Sequence, residues 1–154
     1  MRKHLSAREV NQESLARVVA SAFYEVIHLD DGEVVTEGPE LKITLRFING
    51  QRLQLFSVFP VEADSELDTV LEALNLFNTR MRGTKAFLVT DEGPPVVVFD
   101  TDFDFSAGLS VKSLVLRMRR FESNVFQGFE FRRLLKHFSS LGVEVEPRPV
   151  ATFN

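Results

Sequence analysis

A chain of 154 residues, 44% hydrophobic and 26% charged, can bury a core in one domain, and with no cysteine it does so without disulfides. This composition excludes wholesale disorder, thiolate zinc sites and cysteine nucleophiles, and no apolar run approaches the length that spans a bilayer. The net charge of -4 hides a division: residues 25–78 carry 11 acids against 3 bases, whereas residues 112–136 carry 7 bases against 2 acids. The aromatic side chains are 15 Phe and one Tyr, rings that fill a core with almost no demand for hydrogen-bond partners. The basic start, Met1-Arg2-Lys3, runs into Arg8, Glu9, Asn11 and Gln12 rather than a signal-peptide core, so the expected setting is cytoplasmic.

Ser6-Ala7-Arg8-Glu9 has the spacing of a capping box and predicts a helix from about Ala7 to Ala22. Val10, Ser14, Leu15, Val18, Val19 and Ala22 share its inner face. Its end is open, because Phe23-Tyr24-Glu25-Val26-Ile27 can extend the helix or begin a strand. Asp30-Asp31-Gly32 is a turn in either case. From Glu33 to Pro60 the period changes to two: Leu41, Ile43, Leu45 and Phe47 form one apolar set, and Leu53, Leu55, Ser57 and Phe59 another. Between them lies Asn49-Gly50, whose usual hairpin loop has two residues. That loop would place the two apolar sets on opposite faces. A three-residue loop, Asn49-Gly50-Gln51, pairs Phe47 with Leu53 and Leu45 with Leu55, and is favoured for that reason.

Ser65-Glu66-Leu67-Asp68 opens a second helix with a cap and first-turn acids, and Leu67, Val70, Leu71, Leu74, Phe77 and Met81 form its stripe before Gly83 stops it. Strands follow at about Lys85–Val89 and Pro95–Asp102, joined by Asp91-Glu92-Gly93-Pro94. Ser110 then caps a helix carrying Val111, Leu114, Val115, Met118, Phe121 and Val125, with Gly128 as a point of breakage or kinking. The expectation is a single α+β domain over residues 1–154, with 142–154 a loose or extended tail. Its antiparallel sheet of about five strands packs against helices in the order α-β-β-β-α-β-β-α.

Chemistry is scarce. Asp100-Thr101-Asp102-Phe103-Asp104 opens like a calcium loop, but Phe105 stands where that loop needs Gly and Val111 where it needs Glu. Phe99, Phe103 and Phe105 alternate with the aspartates, which reads as a strand with one wet face. His4, His28 and His137 are too scattered for a helical metal motif, no nucleophile elbow surrounds a Ser, and no glycine-rich loop with Lys is present. No catalytic residue, metal site or cofactor is expected, and the chain reads as no enzyme. Two surfaces on the last helix carry the functional expectation. Phe121, Phe126, Phe129 and Phe131 are more rings than one buried stripe needs, so they form a subunit interface or peptide groove, or else a bent helix buries them all. Arg117, Arg119, Arg120, Arg132 and Arg133 form a basic surface, the basis of an alternative reading as a nucleic-acid-associated regulator.

The layout, together with Leu74-Asn75-Leu76-Phe77-Asn78, Ala86-Phe87-Leu88-Val89 with its acidic-glycine turn, the Val-rich strand and Ala107-Gly108-Leu109-Ser110, resembles the YbjN family of bacterial sensory transduction regulators. Asn75 and Asn78 stand where that family has Asn-x-x-Asn at the end of its second helix, and Gly108 belongs to the segment opening the last one. The glycine usual after the first helix is absent, Ala22 standing near its place. The resemblance implies a type III secretion chaperone-like fold and a non-enzymatic, chaperone-like or regulatory protein. It further implies a homodimer that binds protein partners, with no cofactor and no membrane. The asparagines read as helix-end amides that cap or tie the following loop.

Overall fold

The computed structural model describes residues 3–38 and 41–130. The expected tail at 142–154, and with it Phe131, Arg132 and Arg133, lies outside the described residues. The elements are β1 (His4–Leu5), a 3-10 turn (Ala7–Glu9), α1 (Gln12–Ser21), β2 (Glu25–Asp30), β3 (Glu33–Glu37), β4 (Lys42–Ile48), β5 (Arg52–Pro60), α2 (Leu67–Arg80), β6 (Lys85–Val89), β7 (Val96–Asp104), β8 (Leu109–Ser110) and α3 (Val111–Glu130). Six strands form one antiparallel sheet in the order β2-β3-β4-β5-β7-β6, and β1 pairs with β8 in a separate two-stranded ribbon. The five expected strands are present, and β2 adds a sixth. By contacts the chain divides into two compact units, residues 1–56 with 101–123 and residues 57–100 with 124–154.

In the first unit the expected single helix is two pieces. Glu9 accepts hydrogen bonds from the Ser6 backbone N–H at 2.8 Å and hydroxyl at 3.0 Å, but this closes only the 3-10 turn. Val10 is extended, and α1 starts afresh at Asn11, whose Oδ1 accepts from the Ser14 N–H while the Ser14 hydroxyl accepts from the Asn11 N–H, both at 2.9 Å. The other end is settled by backbone geometry. The Tyr24 N–H reaches the Val19 carbonyl and the Phe23 N–H the Ala20 carbonyl, the paired bonds of a Schellman motif. Phe23 occupies the left-handed position at φ 69°, where glycine is the usual residue and a side chain costs about 1–2 kcal/mol. The glycine missing from the sequence pattern is thus replaced by a phenylalanine, and the strand begins two residues later.

The β4–β5 hairpin has the odd loop that parity required: Phe47 pairs with Leu53, Leu45 with Leu55 and Ile48 with Arg52. Asn49 and Gly50 both take positive φ in that loop. Leu15, Val19, Val34, Ile43, Leu45, Leu53, Leu55, Leu114 and Met118 are fully enclosed, and Phe105 meets Phe47 edge-on at 5.8 Å.

The second unit is organised by rings. Phe99 lies 5.7 Å from Phe59, 5.2 Å from Phe77 and 5.8 Å from Phe129, and Phe59 lies 4.9 Å from Phe129. On α2 the inner residues are Val70, Ala73, Leu74 and Phe77, while Leu67 and Leu71, assigned to the stripe by sequence, are exposed to one side. The helix begins after Glu66 with no side-chain cap, so Ser65 does not serve as one. Gly128 neither breaks nor kinks α3. A Cβ there would lie 2.7 Å from Phe77 Cε2 and 2.9 Å from Phe77 Cδ2.

Gly128→Ala therefore sets a helix-propensity gain of about 1 kcal/mol against overpacking of an enclosed ring, which costs about 1–3 kcal/mol. The expected result in urea denaturation is net loss of stability, largely recovered when Phe77→Leu is added. A stabilised single variant would show that the ring yields.

Candidate protein-binding surface

Sequence placed the functional surface on the last helix, and the structure takes two of its rings away. Phe121 and Phe129 are each 1% exposed and belong to the core, so neither presents a face to a partner. The reason is spacing: Leu114, Met118, Phe121, Val125 and Phe129 follow the three-four rhythm of one inner face. Phe126 is half-buried. Arg117, Arg119 and Arg120 are exposed, with the Arg117 guanidinium 4.4 Å above the Phe103 ring. Ser110, Lys112, Ser113, Leu116, Arg117 and Arg120 line a shallow concavity of about 350 Å³. Ser110 caps this helix as expected, its hydroxyl accepting from the Ser113 N–H at 3.3 Å.

The motif residues are structural. Asn78 Nδ2 donates to the Ala86 carbonyl and its Oδ1 accepts from the Ala86 N–H, both at 2.8 Å. Ala86 is on β6, the last strand of the sheet, so one amide satisfies both backbone groups of an edge residue. The Asn75 carbonyl accepts from the Thr79 hydroxyl at 2.8 Å, and its own side chain is on the exposed side of α2. Gly108, at φ 96°, has His4 Nε2 and the Leu5 carbonyl oxygen within 2.7 Å of where a Cβ would stand, which leaves room only for glycine beside β1.

At the opposite end of the sheet β2 is finished differently. Leu29 pairs with Val34, Val34 with Leu45, and Leu45 with Leu55. This aliphatic row is 0% exposed at its three inner positions and 43% exposed at Leu29. Ile27 is the extra residue of a bulge between Val26 and His28, and it too is exposed. Phe23, just before the strand, is 87% exposed. Sequence reasoning left this stretch between helix and strand, although the apolar run from Phe23 to Leu29 ahead of an acidic turn was its signal.

The described residues assemble little that could do acid–base or metal chemistry. No group of three His, Asp or Glu side chains among them could hold a metal ion. Asp102 binds Arg52, with contacts of 2.5 and 3.0 Å, and the Asp104 Oδ1 accepts from the Ser106 hydroxyl and, at 2.7 Å, from the Ser106 N–H. Those Ser106 donors, with Arg52 beyond them, hold the Asp104 carboxyl below the usual carboxylate range. Burial, and then the neighbouring Glu122 carboxylate, push the Tyr24 hydroxyl well above its ordinary value, so it stays protonated. No described helix is long and apolar enough to cross a membrane.

The YbjN sequence profile, described as "Putative bacterial sensory transduction regulator", matches residues 11–131. The chain belongs to the YbjN family. Among solved structures it is similar to YbjN from E. coli, at a TM-score of 0.73 and 12% identity, over 88% of this chain and 99% of that one. An uncharacterized protein from Methanothermobacter thermautotrophicus aligns at a TM-score of 0.58 and 12% identity, over 79% and 95% of the two chains. A chain of the HopA1–SchA chaperone–effector complex aligns at 0.53 and 18% identity, over 80% and 94%. These likenesses establish a fold shared by the YbjN family and a secretion-chaperone complex. No curated protein sequence matches the chain.

Two outcomes follow from the geometry. Asn78→Ala removes both bonds to Ala86 and should cost about 1–3 kcal/mol in urea denaturation, with faster hydrogen exchange at the Ala86 amide; unchanged exchange would mean that the amide does not hold the edge. Asp104, with its carboxyl lowered on folding, adds stability above the ordinary aspartate pKa of about 3.9. That contribution is lost as pH falls through the lowered value. The stability gap between the native chain and Asp104→Asn should therefore close on acidification below that range, and a gap independent of pH would contradict the assignment.

Proposed function

We propose that this chain is a non-enzymatic, chaperone-like or regulatory protein that works by binding another protein. The observation that carries the reading is the uncovered apolar group of Phe23, Ile27 and Leu29, three large side chains within seven residues of one sheet end. Large apolar side chains grouped on a surface mark interaction sites more often than scattered ones do. Membership of the YbjN family and a fold shared with a chain of a chaperone–effector complex support it. A homodimer is part of the proposal. With Phe121 and Phe129 in the core, the surface left for a second copy includes Leu67 and Leu71, one turn apart on α2, and the half-buried Phe126. A cytoplasmic setting fits a chain without cysteine.

The test is chemical cross-linking of the full chain in an extract of its own host, followed by identification of the attached proteins, with light scattering on the purified chain. The reading expects one or a few discrete protein partners and a mass of twice the chain. Cross-links spread over abundant proteins, with a strict monomer in solution, would count against both parts of it.

A further inference from the structure

We infer that the β2 rim receives an extended protein segment in which apolar side chains are flanked by lysine or arginine. This rests on the protein-binding reading and gives it a place and a partner chemistry. The apolar half of the argument is the row Leu29–Val34–Leu45–Leu55, closed at every position but its outermost. A side chain set beside Leu29 would continue that row, as each strand of the sheet continues its neighbour. Ile27 and Phe23 add exposed apolar surface along the same stretch of chain. Phe23 is held in the left-handed region with its ring in solvent, a conformation that glycine would adopt without strain.

Charge identifies the occupant. From Glu25 to Glu37 the chain carries five acids and no Lys or Arg. Arg46 binds Glu33, with its Nε at 2.7 Å. Glu25, Asp30, Asp31 and Glu37 are exposed, and among the described residues none of them is in a salt bridge. Two copies meeting rim to rim would bring these acids together, and like charges facing across strands are destabilising. The same acids attract a cationic segment, so one set of charges repels self-pairing and selects the partner. The bulge at Ile27 interrupts the backbone ladder, which limits strand-like pairing to the His28–Asp30 side and leaves the apolar contacts to side chains. The other edge lacks this opening because Asn78 closes it at Ala86.

The probe is a short fluorescent peptide alternating lysine with isoleucine, compared with a twin carrying glutamate for every lysine, on the full-length chain. The lysine peptide should bind and the glutamate twin should not, and binding should slow hydrogen exchange across residues 25–30. Leu29→Ser, and separately Glu25→Lys with Asp30→Lys, should each weaken binding about tenfold or more. The same charge change at Glu62 and Asp64, exposed and in the other unit, should leave it within about twofold. Equal binding of the two peptides, equal loss from both charge-reversed variants, or indifference to Leu29→Ser would each overturn the assignment. A dimer that Leu29→Ser dissolves would overturn it in favour of a second copy. If a host partner that cross-links to the native chain binds the rim variants just as well, the rim is wrong and the protein-binding reading stands. If no partner binds the native chain, the broader reading fails first.

Discussion

Phe99 stands at the centre of the second unit, with Phe59, Phe77 and Phe129 at centroid separations of 5.7, 5.2 and 5.8 Å. Rings of this kind each bury a large apolar area and gain further from edge-on geometry. The cluster joins β5, α2, β7 and α3, and it fixes how α3 is turned. Phe129 is drawn inward, Gly128 presses its backbone against Phe77, and the helix shows its arginines to solvent. The phenylalanine excess of the composition is therefore largely a core requirement, and the surface on which a partner could settle has to be sought elsewhere.

An open sheet must end, and each end leaves a row of backbone donors and acceptors to be satisfied or guarded. This chain treats its two ends differently. At β6 the Asn78 amide satisfies Ala86 on both sides. At β2 the guards are a bulge and acidic side chains, both of which discourage pairing with a like strand. Such guards do not remove the apolar row that runs out at Leu29, and their sign selects what can approach it.

Much of the fold was legible because periodicity and parity carry it. The period-two runs at Leu41–Phe47 and Leu53–Phe59 allowed one register, and the odd Asn49-Gly50-Gln51 loop was deducible from which residues had to share a face. Asn78 was legible as a tie, though not its partner forty ångström-scale contacts away from any motif; the pairing with Ala86 needs the strand's position. Other features depended on tertiary context. Ser6 and Asn11 both read as caps, and only the extended Val10 between them decides that the long helix starts at the second. A left-handed Phe23 is contrary to propensity and could not be anticipated from a pattern that places glycine there. The rim was missed for the same reason: without the end of α1, Ile27 and Leu29 had no face to be assigned to.

The account's central claim is that Phe23 is kept at a position suited to glycine because its ring meets a partner. Stability and binding should then move in opposite directions in Phe23→Gly. Relief of about 1 kcal/mol of backbone strain raises the melting temperature by about 2–4 °C in a chain of this size, while affinity for the lysine–isoleucine peptide falls. A variant that gains stability and binds as the native chain does, or that loses stability and binding together, would contradict it.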